Sequence, residues 1–176
     1  TGALLMQSVR LIDTLPGIKR PAICASAPTY YGNVSLLDLG ANISCDANNF
    51  HQFGVLASMK CNLIDGIENP SIKLLNVGEE ANKGTKELKA AAKLFNEDKN
   101  LNYQGFIEGN NLFNDPVDVI VCDGFTGNVA LKTAEGVARL ATGIGADIVK
   151  QRFSLRLLSK IFTKSLDDFK NRLSPT

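Results

Sequence analysis

Net charge, histidine and paired cysteines are all scarce in this sequence of 176 residues. The 19 Lys and Arg side chains almost balance the 18 Asp and Glu side chains, and a formal net charge of +1 favours neither a nucleic acid nor an acidic partner. With one histidine and four separated cysteines that form no Cys-x-x-Cys pair, we expect no metal site. We expect buried, reduced thiols instead, as in a cytoplasmic protein.

The motifs of several common enzyme classes are absent as well. The chain lacks GxGxxG, GxxxxGK[ST] and GxSxG, which argues against a standard dinucleotide site, a P-loop and an α/β-hydrolase nucleophile. The sequence also places no histidine beside a cysteine in the way that a thiol nucleophile requires. What remains is direct transfer between two bound substrates, which the protein orients without a cofactor.

Long apolar runs are missing too. No stretch approaches the roughly 20 apolar residues that span a bilayer, and no signal peptide is apparent. The chain begins at Thr1 without a methionine, in what reads as the interior of a structure. We therefore expect it to be a piece of a longer protein.

What the sequence does contain is an alternation of apolar strands and amphipathic helices. Strands that are apolar on both faces are typical of a largely parallel sheet covered on both sides, so we predict an α/β fold. A helix capped by the Asp46–Asn49 segment is expected to run to about Asn62. The predicted strands are 21–27, 34–40, 71–78, 103–109 and 117–124, with further helices at 3–12, within 79–98 and after 124.

Polar, glycine-bearing loops follow four of these strands. In a parallel sheet, the loops that leave the carboxyl ends of the strands converge on a crevice where ligands bind. Glycine lets the backbone approach a ligand closely, and the helix that follows such a loop presents N–H groups to an anion. We therefore predict a phosphate-binding site built from the loops 38–42, 76–84, 107–111 and 122–128.

Each polar residue of these loops also has a purely structural interpretation. Asp38 and Asp123 could cap turns by accepting local N–H groups. Lys83 could be one solvated lysine among several, and Asn128 could cap or line the first helical turn. Phe125 could fill a gap in the core instead of contacting a substrate.

Four segments resemble a known family: "LLDLGAN", "LLNVGEEANKGT", "GFIEGNN" and "VDVIVCDGFTGNVALKTAEG". In this order they are similar to the bacterial acyl-ACP:phosphate acyltransferases, the PlsX family, over nearly the whole chain. The resemblance implies a Rossmann-like three-layer α/β/α fold, similar to isocitrate dehydrogenases and phosphotransacetylases, and a homodimer. It also implies the reaction of acyl-acyl carrier protein with inorganic phosphate, which gives acyl phosphate for phospholipid synthesis.

Carried over by motif, the family's active-site positions fall on Lys83 and Asn128. Lys83 would hold phosphate as a compact cation, and the N–H groups around Gly127 and Asn128 would hold phosphate or the developing oxyanion. Inorganic phosphate is already substantially dianionic near pH 7, because the second pKa values of phosphate groups lie near neutrality, so no strong general base is required. Asp123 would orient its loop and Phe125 would flank the acyl chain. The residues assigned to substrate binding are Asp38, Asn42, Gly78, Asp123, Gly124, Phe125, Thr126 and Gly127.

The last part of the chain reads as an amphipathic helical extension, residues 148–176, that follows an α/β core of residues 1–147. Its basic stripe and apolar face fit either a dimer contact or a helix that lies on a membrane surface. The resemblance favours peripheral association with the inner face of the cell membrane, and the same stripe could instead contact acidic acyl carrier protein. The predicted membrane-binding residues are Phe153, Leu157, Leu158, Ile161 and Phe162, and the basic ones are Arg152, Arg156, Lys160 and Lys164.

Three rival functions stay open on sequence grounds. A phosphate acyltransferase that takes its acyl group from coenzyme A would differ only in the thiol carrier. A dehydrogenase shares the fold class, but the dinucleotide motif is missing. A catalytically impaired, membrane-associated scaffold is the alternative that is not an enzyme.

Overall fold

A computed structural model describes residues 2–151 of the chain. Within these residues five strands form one sheet, in the order β1-β2-β5-β3-β4. The strands β2, β5, β3 and β4 run parallel, and only the edge strand β1 is antiparallel to its neighbour. The predicted α/β class with a largely parallel sheet is confirmed. The strands are β1 (Cys24–Thr29), β2 (Gly32–Leu37), β3 (Ser71–Asn76), β4 (Asn102–Glu108) and β5 (Val119–Val121).

The antiparallel edge was not predicted from the sequence. Strands β1 and β2 form a hairpin whose two turn residues are Tyr30 and Tyr31. This pair is not one of the Asn-Gly or Gly-containing dipeptides that identify a two-residue hairpin. The turn is held by its flanking residues, because the Thr29 hydroxyl accepts the Tyr31 N–H at 3.1 Å and donates to the Gly32 carbonyl at 3.3 Å.

Helices connect the strands and begin where capping residues permit. Asp46 and Asn49 form the reciprocal capping box that starts the helix after β2, with the Asp46 carboxylate accepting the Asn49 N–H at 2.8 Å. Thr85 caps the helix after β3 through the Leu88 N–H. The described helices are α1 (Gly2–Ile12), α2 (Ala47–Lys60, continued by a π-helical turn at Cys61–Asp65), α3 (Lys86–Glu97) and α4 (Gly124–Gln151), with a 3₁₀ turn at Gly109–Asn111.

Both faces of the sheet are buried, as a three-layer Rossmann-like fold requires. On one face, the aromatic side chains of Phe53 from α2 and Phe95 from α3 pack with Ile72 and Val119. The side chains that alternate with these along the strands, such as Ile120, are equally inaccessible. This arrangement explains why the central strands β2, β3 and β5 are mostly apolar.

The chain divides into two compact units, Thr1–Val129 and Ala130–Thr176. The first unit contains the whole sheet and the loops at its carboxyl edge. The second unit is described as far as Gln151. Within it, the Glu135 carboxylate pairs with Lys132 at 3.0 Å and lies 3.7 Å from the Arg139 guanidinium. Over residues 2–151, the helices fall short of the combined length and hydropathy that a bilayer crossing requires.

The predicted boundary after residue 147 stays a prediction. The amphipathic extension begins within the last described turn of α4. The rest of it, with the predicted membrane-binding residues Phe153 to Phe162 and the predicted basic residues, lies outside the described residues.

Candidate functional site

The sheet order brings the four polar loops to one edge, as the sequence predicts. The loop after β2 lies beside the loop after β5, where the Asp38 N–H donates to Cys122 at 3.0 Å and the Gly124 N–H donates to Asn42 at 2.7 Å. The loop after β3 lies beside the end of β4, where Asn111 donates to Glu79 at 3.3 Å. Neighbouring strands therefore place these loops in contact as two pairs.

Asp38 is a fully buried carboxylate at the centre of the first pair of loops. One oxygen accepts the Ile23 N–H at 2.9 Å and the Ala41 N–H at 3.0 Å. The other accepts the backbone and side-chain N–H groups of Asn42 at 2.7 and 2.8 Å. The sequence assigns Asp38 and Asn42 to substrate binding, but the structure encloses them beneath the loop, where they hold its shape.

Asp123 fixes the start of α4. Its carboxylate accepts the Thr126 N–H and the Thr126 hydroxyl, both at 2.8 Å, and its carbonyl accepts the Gly127 N–H at 2.9 Å. The predicted role of Asp123 in orienting the loop agrees with these contacts. The sequence predicts that the N–H groups around Gly127 and Asn128 bind an anion. In the structure the Gly127 N–H donates to the Asp123 carbonyl instead, so it is not free to bind one.

Gly127 is required because the backbone of the neighbouring loop passes directly over it. A Cβ atom at this position would overlap the Asp38 carbonyl oxygen and would lie 2.7 Å from the Cys122 sulfur. The closed contact between the loops after β2 and β5 therefore depends on the missing side chain.

We expect Gly127→Ala to destabilise the protein by about 1–3 kcal/mol or more, because backbone atoms of two elements must separate. Gly136→Ala, later in the same helix, is the matched control. Nothing lies within 4 Å of the added methyl group there, and alanine is the better helix former. Urea denaturation of both variants measures the difference, and equal midpoints would contradict the packing argument.

The two predicted catalytic residues both present exposed side chains. Asn128 lies against the loop after β2, with its Cβ 3.5 Å from the position that a Cβ on Gly40 would take. Lys83 packs over Gly78, and among the described residues it belongs to no ion pair. Phe125 is 63% exposed, which rules out the interpretation of this side chain as a core residue.

The segment that carries Lys83 packs on Asn76, the first residue of the predicted loop 76–84. Gly84 has φ of 84° and lies directly on the Asn76 side-chain amide, so a larger residue would be strained and would collide. The Asn76 Oδ1 atom accepts the Val77 N–H at 2.9 Å. The hydrogen bond to Val77 orients the Asn76 amide. Because Gly84 packs on this amide, Asn76 also positions the segment that carries Lys83.

A cleft of about 540 Å³ opens between the starts of α2, α3 and α4. Thr85, two residues after Lys83, lines one side, and Phe125 and Thr126, three and two residues before Asn128, line another. Arg20 also lines the cleft. Sequence reasoning missed Arg20, since an arginine before a strand carries no pattern that indicates a site.

The thiols of this region are poor nucleophiles. Burial raises the pKa of Cys45, which lines the cleft, to about 11. Burial also raises the pKa of Cys122, well above its ordinary range. Both groups are protonated near pH 7, which agrees with the inference that no cysteine attacks a substrate. Residues 2–151 contain no group of three or more His, Cys, Asp or Glu side chains suited to a metal ion.

These features define the class: a Rossmann-like α/β domain with a ligand-sized cleft beside the polar loops at the carboxyl edge of its sheet. The sequence model of the family described as "Fatty acid synthesis protein" matches residues 1–176, and the chain belongs to this family.

Relatives of this chain carry the name phosphate acyltransferase, and three of them show the extent of the similarity. The protein of Colwellia psychrerythraea is 48% identical over 164 residues, which is 92% of this chain and 46% of the relative. The protein of Alcanivorax borkumensis is 43% identical over 175 residues, 99% of this chain and 52% of the relative. The protein of Shewanella pealeana is 43% identical over 176 residues, with the same shares. The chain thus spans about half the length of the curated relatives it matches.

Proposed function

We propose that the whole protein transfers a fatty acyl group from acyl-acyl carrier protein to inorganic phosphate and so makes acyl phosphate for phospholipid synthesis. The observation that carries the proposal is that residues close in the chain to Lys83 and to Asn128 line one cleft: Thr85 on one side, and Phe125 and Thr126 on another. The side chains of Lys83 and Asn128 are themselves exposed. The names of the relatives support phosphate as the acyl acceptor.

The chemistry requires binding and orientation more than acid–base catalysis. Lys83 holds dianionic phosphate, and a phosphate oxygen attacks the thioester carbonyl carbon. A C–O bond forms, the C–S bond breaks, and the carrier leaves as its thiol with the proton that the hydrogen phosphate dianion gives up. The Asn128 amide donates to the carbonyl oxygen as negative charge develops there, a contribution worth about 3–4 kcal/mol in other enzymes. Phe125 flanks the acyl chain.

The test compares donors. The whole protein is incubated with phosphate and, in turn, acyl-acyl carrier protein, acyl-coenzyme A or NAD(P), and acyl phosphate is detected by phosphorus NMR. We expect product with the carrier-protein donor. Product with coenzyme A alone would assign the rival phosphate acyltransferase. No acyl phosphate with either thioester would refute the proposal.

The proposed assembly is a homodimer. Apolar side chains recur at helical spacing along the described part of α4, and all are at least half exposed: Val137, Leu140, Ile144 and Ile148. A second copy of the chain would cover this row. Sedimentation of the whole protein measures the mass, and a stable monomer would contradict the dimer.

We also propose that residues 153–164 attach the protein to the inner face of the cell membrane. Apolar insertion would be reinforced by basic residues, each worth about 1 kcal/mol near anionic lipid. Leu158→Glu should therefore abolish recovery with anionic vesicles in flotation, and salt should weaken binding of the unaltered protein. The control is Leu63→Glu, which changes an exposed leucine outside this segment. Equal recovery of the Leu158 variant would contradict membrane attachment.

A further inference from the structure

Arg20 lines the cleft, but the proposed acyl transfer gives it no role. Its guanidinium Nη1 atom donates to the Ser44 carbonyl at 3.3 Å, in the loop that leads into α2. A guanidinium has five N–H donors, so this contact leaves most of them available. Among the described residues Arg20 belongs to no ion pair.

The backbone beside Arg20 is held by the same buried network that shapes the loop after β2. The carbonyl of Pro21, the next residue, accepts the Asn42 side-chain N–H at 2.8 Å. The Ile23 N–H donates to the Asp38 carboxylate at 2.9 Å. The buried pair Asp38 and Asn42 therefore fixes the segment from which Arg20 enters the cleft, and this gives the two residues a purpose as positioning groups.

Charge around the cleft selects the kind of ligand. Its carboxylates are Asp46, Asp123 and Glu87. Asp46 and Asp123 accept N–H groups at the starts of α2 and α4, and Glu87 lies in the first turn of α3. The positive end of a helix therefore offsets part of the charge of each carboxylate, whereas within residues 2–151 Arg20 has only the Ser44 carbonyl as a hydrogen-bond partner. A ligand that complements the cleft brings an anionic group to Arg20.

We propose that Arg20 binds a phosphate oxyanion in this cleft, a role that rests on the proposed function. The planar guanidinium can donate two parallel hydrogen bonds to such a group. The oxyanion belongs either to inorganic phosphate or to the phosphoester that carries the thiol arm of the acyl donor. Thr85, which accepts the Leu88 N–H, keeps its own hydroxyl hydrogen to donate to the same ligand.

The test measures binding and turnover separately in the whole protein. Calorimetric titration uses inorganic phosphate, an acyl phosphopantetheine and the matching acyl pantetheine without phosphate. Arg20→Ala should weaken binding of one phosphate-bearing probe at least about tenfold, as expected for loss of a charge-assisted hydrogen bond, and Arg20→Lys should lie between. Lys19→Ala is the matched control, because it removes one positive charge from the adjacent residue, which does not line the cleft.

The two sources of the oxyanion give different results. Weaker phosphate binding and a raised KM for phosphate assign Arg20 to the free substrate. Weaker binding of the acyl phosphopantetheine, with acyl pantetheine unaffected, assigns it to the carrier arm.

Equal binding of every probe by Arg20→Ala and Lys19→Ala would overturn the inference, as would failure of the unaltered protein to bind either phosphate-bearing probe. Acyl phosphate formation is scored independently. Arg20-dependent binding without turnover would refute the proposed reaction and leave the oxyanion site standing.

Discussion

Replacing Lys83 by alanine should lower phosphate-dependent turnover by about 100-fold or more while leaving thermal stability nearly unchanged. The rate falls because the reaction brings a dianion to a thioester, and loss of one preorganised charge-stabilising group costs about 100- to 1,000-fold in comparable sites. Stability is preserved because the side chain is exposed and, among the described residues, unpaired. Surface substitutions of this kind stay within about 0.5 kcal/mol.

Steady-state kinetics and a thermal melt on the whole protein check both halves of this expectation. Lys93→Ala removes another exposed lysine, within α3, and should leave turnover unchanged. If Lys83→Ala retained full activity, Lys83 would play no part in the mechanism. If the variant instead melted well below the unaltered protein, its role would be structural.

Asp38→Asn should have the largest effect on stability. The carboxylate is inaccessible and accepts four N–H groups, two on each oxygen. An amide of the same shape replaces one oxygen by an NH₂ group, which cannot accept, and so leaves two buried donors without a partner. Each such loss costs about 1–3 kcal/mol, so we expect roughly 2–6 kcal/mol, a large part of an ordinary folding free energy of about 5–15 kcal/mol.

Denaturant midpoints of the whole protein measure this loss, together with the soluble yield if the variant fails to fold. The control is Asp65→Asn, which removes a carboxylate from a partly exposed pair with Lys60 at 2.7 Å. An exposed pair is worth only about 0–1 kcal/mol, so this variant should be nearly neutral. Equal midpoints for the two variants would show that the buried network contributes little to stability.

Local patterns predicted much of this fold. The apolar runs identified the strands because strands buried on both faces of a sheet are nearly continuous runs of apolar residues. Asp46 and Asn49 marked the start of α2 because capping depends only on residues three apart in the chain. Parallel strands share one carboxyl edge, so the gathering of the four polar loops followed from the fold class alone.

The direction of the edge strand did not follow from the pattern. The segment that forms β1 was identified as a strand, but a strand pairs in either direction with the same alternation of residues. Tyr30 and Tyr31 give no hairpin signal, so the antiparallel pairing with β2 appears only in the assembled sheet.

The sequence by itself determined the fold class and the polar loops that follow its strands, because these depend on residue types and short spacings. The candidates Lys83 and Asn128 came from the resemblance of their motifs to a known family. Only the tertiary structure decided what each polar group contacts. It enclosed Asp38 and Asn42 as positioning residues, directed the Gly127 N–H to Asp123, and brought Arg20 to the same cleft as Phe125. The physical reason is that a polar atom takes whichever partner the packed strands bring near it, and those partners come from segments far apart in the chain.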